Sequence, residues 1–127
     1  RADGVVSPNF SSRSYVAANQ RTEGAASKLK YIEVTNAQHL DAFNGFAGFD
    51  SRFVPLHMYF TGALDAMWNH LKNGMPLPAS QVVRAVPRQV ISGKAVELNA
   101  SDLTAIAATV GNGSGISFDG NTLRIPD

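Results

Sequence analysis

Cysteine is absent from the chain. That excludes disulfides and thiolate metal sites and leaves the cellular compartment open. Charge is sparse: charged residues make up 17%, and the net charge is +1 with Lys and Arg scattered. No electrostatic footprint for nucleic acid follows from such a pattern. No apolar run approaches the length of a membrane-spanning helix. Also missing are a Gly-x-Ser-x-Gly elbow, a phosphate-binding loop, a dinucleotide fingerprint and any cluster of metal-ligand spacing. No metal site is therefore expected.

What is present is a globular composition, 44% hydrophobic over 127 residues, enough for one ordinary core. The chain opens Arg1-Ala2-Asp3-Gly4, without Met and without a signal-peptide pattern. Asp-Gly is a turn signal. The expectation is a piece of a longer polypeptide, with its first strand lying before residue 1. An unpaired sheet edge would then invite pairing, giving a homodimer or a retained partner fragment.

Ser11 or Ser12 caps a short helix to about Gln20. Residues 29–34, Leu-Lys-Tyr-Ile-Glu-Val, alternate and carry the β-branched and aromatic residues of a strand. Strand, helix and strand in this order suit a parallel sheet. Phe43, Phe46, Phe49 and Phe53 recur three to four apart and read as a core-packing loop. Pro55 opens the clearest helix. Its stripe of Leu56, Tyr59, Phe60, Ala63, Leu64, Met67, Trp68 and Leu71 requires a surface to cover it. Gly74 suits a left-handed cap, and Pro76 and Pro78 prevent continuation.

Residues 81–86 form a short strand, and Asn99 or Ser101 caps a helix to about Thr109. Residues 111–115 are a flexible link, and Asp119-Gly120 turns a hairpin. Residues 1–78 thus read as a core unit and 79–127 as an extension.

Of three histidines, His57 and His70 lie on the long helix, too far apart for a helical metal pair, and read as packing or surface imidazoles. His39 falls in a polar loop after a strand, where open α/β sheets place their sites. A general-base histidine needs a carboxylate on its second nitrogen. Asp3, Glu33, Asp41 and Asp50 lie nearest in sequence. Asp3 has the chain order of an α/β-hydrolase acid, one loop ahead of the histidine. Asp41 ranks second or fixes the loop, and Glu33 belongs to the strand itself. No serine here sits on a strand-to-helix elbow. The competing class is a non-catalytic binding or structural domain, in which His39 merely satisfies its loop.

Residues 1–8, Arg-Ala-Asp-Gly-Val-Val-Ser-Pro, resemble the acid loop of α/β-hydrolases. Residues 30–43, 54–60, 63–67, 77–84 and 116–127 are similar to segments of the D-(−)-3-hydroxybutyrate oligomer hydrolases. The resemblance covers essentially the whole chain. It implies the carboxyl-terminal part of an α/β-hydrolase-type parallel sheet with packing helices and a hairpin tail. It further implies hydrolysis of 3-hydroxybutyrate dimers and oligomers from poly(3-hydroxybutyrate) by a cofactor-free Ser-His-Asp mechanism. His39 would be the base and Asp3 its orienting acid, with the serine outside this chain. A periplasmic or extracellular location is implied as well.

Overall fold

The computed structural model describes residues 1–99, 103–111 and 113–127. A short 3-10 turn, Pro8–Phe10, leads into helix α1, Ser12–Glu23, which stops at Gly24 with φ of +52°. Strand β1 is Ile32–Val34, and a 3-10 segment spans Asp41–Gly45. Helix α2 runs Leu56–Asn73, followed by strand β2, Gln81–Val83. Two small hairpins complete the chain: β3, Val90–Ile91, with β4, Lys94–Ala95, and β5, Ser117–Phe118, with β6, Leu123–Arg124.

β1 and β2 are parallel, with Glu33 opposite Val82, and α2 lies between them in the chain. The pairing joins residues on both sides of position 78. Val34, Val83 and Ala85 share one core with Ala37, Val54 and Tyr59, and Ile32, Leu56, Leu103 and Ile106 pack against it. Val54 is fully buried. Full burial of a valine contributes about 1.5 kcal/mol or more.

Several expectations need correction. Residues 103–109 are not helical; the expected cap Ser101 lies outside the described residues. Leu103 and Ile106 reach the core from irregular chain, and the side-chain amide of Gln81 holds that chain. Gln81 donates to Ala107 O at 2.8 Å and accepts from Ala107 N at 2.9 Å. The glycine-rich stretch is no mere link: Ser114 O accepts from Val82 N at 2.8 Å, and Ile116 N donates to Ser80 O at 2.9 Å, antiparallel to β2. The α2 stripe, third, is only partly covered by the described residues. Tyr59 is buried, but Phe60, Leu64, Met67, Trp68 and Leu71 are between 44% and 74% exposed.

The α2 ends follow local chemistry. Pro55 stands one residue ahead of the helix, in extended conformation, and Gly74 closes it at φ of +68°. The four phenylalanine rings touch in sequence, with centroids 5.9, 6.0 and 5.2 Å apart, yet none is in the buried core. The β3–β4 hairpin adds to the expected elements; its signal is Ser92-Gly93, both with positive φ, after the β-branched pair Val90-Ile91.

Glu33 is the most enclosed charge among the described residues, with 3% of its side chain exposed. It accepts from Arg1 Nε at 2.5 Å, from Arg13 Nη2 at 2.5 Å and Nε at 3.0 Å, and from the Tyr31 hydroxyl at 3.0 Å. Tyr31 has one hydroxyl hydrogen, so Ser12 must be the donor in its 2.9 Å bond to that oxygen. Burial alone would raise the Glu33 carboxyl, but Arg13, Tyr31 and Arg1 outweigh it and hold it below the usual glutamate range.

A carboxyl lowered in the folded state stabilises fully above its unfolded value, and that stability disappears as pH falls through the folded one. Glu33→Gln is expected to flatten this acid limb in urea denaturation followed from neutral pH downward. Glu33→Ala, which leaves two guanidinium groups facing no anion, should cost about 2–3 kcal/mol at neutral pH.

Candidate active site

β1 ends in a fixed joint. Asn36 takes φ of +52°, a conformation its short amide side chain tolerates. Its Nδ2 donates to Ala85 O at 2.8 Å, and its carbonyl accepts from Val54 N at 2.7 Å. Thr35 N donates to Val83 O at 3.0 Å. Ala37 then bridges to Val54, and both are buried. The chain is thus positioned on buried backbone two residues before His39.

The acid loop arrives from the other side. Arg1 bonds through its backbone nitrogen to Val34 O at 2.7 Å, and its guanidinium contacts Glu33 and the Pro126 carbonyl. Two residues on, Asp3 Oδ1 accepts from Val5 N and Val6 N, each at 2.8 Å. Asp3 Oδ2 lies 2.9 Å from His39 Nδ1. Gly4 N reaches Gln38 Oε1 at 3.4 Å, a second, weaker tie between the same loops.

The carboxylate has a settled charge. Desolvation pushes Asp3 up, but the Val6 N–H, His39 and the Val5 N–H together bring it below the usual range. An ionised carboxylate only accepts, so Nδ1 carries the hydrogen that faces Asp3, and Nε2 is the nitrogen left for other partners. Nε2 makes no hydrogen bond among the described residues. The His39 side chain is 40% exposed and that of Asp3 19%.

His39 opens on a shallow groove of about 460 Å³, lined by Leu40, Asp41, Leu56, His57 and Phe60. Its walls are mostly apolar, and Leu56, His57 and Phe60 come from the amino-terminal end of α2. Asp41 does not join the Asp3–His39 pair. Its Oδ1 accepts from Leu56 N at 2.6 Å and its Oδ2 from His57 N at 3.0 Å, so it caps α2 from a distant loop. That is the loop-fixing role, and it locks the groove's two sides together.

Glu33 points into the arginine network described above. His70 closes the far end of α2, with Nδ1 2.7 Å from Met75 O. His57 belongs to the groove, which helical spacing alone does not reveal; its ring lies 6.2 Å from that of Phe60. No hydroxyl bonds to His39, and no group of three or more metal-ligating side chains occurs, among the described residues. Among the same residues, no helix is long and apolar enough to cross a membrane.

A family model described as 3HB-oligomer hydrolase matches residues 1–127. The chain is 58% identical over 111 residues to the D-(-)-3-hydroxybutyrate oligomer hydrolase of Paraburkholderia xenovorans, covering 87% of this chain and 16% of that protein. Similarity to the protein of the same name from Paracidovorax citrulli is 50% over 131 residues, covering 100% of this chain and 18% of the relative. For Burkholderia thailandensis the figures are 48% over 126 residues, 99% and 18%. The chain therefore spans less than a fifth of the length of these relatives. No solved structure matches.

Asp41→Ala is expected to lower stability by about 1 kcal/mol, the usual cost of losing a helix N-cap. Asp41→Asn should recover part of the loss, since its amide oxygen still accepts one of the two N–H groups. Thermal unfolding followed by circular dichroism checks both.

Proposed function

Because the chain belongs to the 3HB-oligomer hydrolase family, we propose that it supplies two members of a Ser-His-Asp triad that cleaves esters of 3-hydroxybutyrate oligomers. The observation that carries this reading is the 2.9 Å contact between Asp3 Oδ2 and His39 Nδ1, with Nε2 unengaged beside a groove. The serine and the oxyanion-stabilising donors come from the part of the longer hydrolase that this chain does not span. The α/β-hydrolase architecture is part of the proposal. A parallel β1–α2–β2 crossover with the histidine just past a strand end supports it.

In this mechanism Nε2 accepts the serine proton as the hydroxyl oxygen attacks the ester carbonyl. The imidazolium returns that proton to the departing 3-hydroxy oxygen, breaking the ester bond and leaving an acyl-serine. Water then attacks the acyl group, with Nε2 again taking the proton and giving it back to serine. Asp3 keeps the hydrogen on Nδ1 throughout and stabilises the charged ring. Leu40, Leu56 and Phe60 offer an apolar wall to the methyl-bearing butyryl unit. No metal or cofactor takes part, and the chain by itself is expected not to hydrolyse esters.

His39→Ala in the complete hydrolase should lower kcat on a 3-hydroxybutyrate dimer by about four orders of magnitude. Undiminished hydrolysis would remove His39 from the mechanism. Asp3→Asn is the finer test. Its amide oxygen still accepts from Val5 and Val6, so the loop stays folded. Its NH2 faces Nδ1 and forces the hydrogen onto Nε2, the wrong tautomer for a base. A loss of about 10^4-fold with unchanged thermal stability is expected.

A further inference from the structure

The uncovered face of α2 has a definite shape. Phe60, Leu64, Met67, Trp68 and Leu71 recur at four, three, one and three residues, so they share one arc about 100° wide. The helix meets its own chain on a neighbouring arc, where Tyr59 is buried and Gly62 faces Ile106. Eighteen residues of helix extend about 27 Å, whereas each strand of the β1–β2 pair, at three residues, extends about 10 Å. The sheet in this chain is too short to cover its own crossover helix. An exposed ridge of five large apolar side chains is the mark of an interface in a soluble protein.

We propose that this arc docks on an apolar surface of the part of the hydrolase polypeptide that lies outside this chain. The inference rests on the reading that the chain works within a longer hydrolase. Two observations favour that occupant over a second copy. More than four-fifths of each curated relative lies beyond the matched region, ample for a complementary surface. Phe60, moreover, belongs to both the arc and the His39 groove. A nucleophile must come within hydrogen-bond reach of Nε2. A body that brings it there stands beside Phe60 and continues along the ridge towards Leu71. The same contact thus buries the ridge and assembles the triad, with α2 as the seam.

Hydroxyl-radical footprinting of the complete, unaltered hydrolase, read residue by residue by mass spectrometry, tests this without a variant that might misfold. Met67 and Trp68 should be oxidised about tenfold more slowly in the monomer fraction than in an unfolded peptide of residues 56–73. Oxidation at the peptide's rate would overturn the proposal. So would protection confined to a dimer fraction, which assigns the face to a second copy. The outcome is independent of the chemistry: protection together with an active His39→Ala variant would sink the triad and leave the docking standing.

Discussion

A single enclosed carboxylate holds the loops around Asp3 and His39 in place. Glu33 lies on β1, yet its two oxygens bind Arg1, two residues before Asp3, and Arg13 on α1. The acid loop, the first helix and the strand that leads to His39 are therefore tied at one point. Neither arginine is deeply buried, at 22% and 28% side-chain exposure, so their cost of desolvation is modest while the anion between them is well satisfied. Without that tie, the 2.9 Å contact between Asp3 and His39 would rest on two loops with few other bonds between them.

The histidine loop itself is built from backbone. A left-handed Asn36, bonds from Thr35 and Asn36 to residues 83 and 85, and the bridge to a fully buried Val54 place it before any side chain of the site is considered. Asp41 then fixes the groove by capping α2. In each case residue type matches position. An amide accepts positive φ, a small alanine sits at a close approach, and a carboxylate stands at a helix amino terminus.

Much of this is legible in the sequence where the determinants are local. The Gly74 terminus and the Asp119-Gly120 turn place the end of α2 and the last hairpin, and Ser11 stands at the amino end of α1 as expected, although its hydroxyl donates to Ser7 O and caps no helix N–H. The Asp3–His39 pair is legible from chain order and turn chemistry. Partnerships across the chain are not. Nothing near Glu33 announces Arg1 or Arg13, and nothing near Asp41 announces residues 56 and 57, because those contacts exist only after β1 and α2 are set. The spacing of Leu103 and Ile106 imitates a helix, but the Gln81 amide and the core give that segment a better use. The α2 stripe is legible as a demand for cover, which the described residues meet at Leu56 and Tyr59 and leave unmet from Phe60 to Leu71.

The Gln81 side chain has a further consequence. By donating to Ala107 O and accepting from Ala107 N it acts as a surrogate peptide group, with the polarity of a strand neighbour but only one residue wide. Residues 103–107 are thus fastened by a side chain whose two ends cannot be exchanged. Deamidation to glutamate would present an oxygen to the Ala107 carbonyl and turn the attractive half of the clasp into repulsion. The segment would then hang on the Ala107 N–H bond, the Thr104 hydroxyl on Arg84 O and the packing of Leu103 and Ile106.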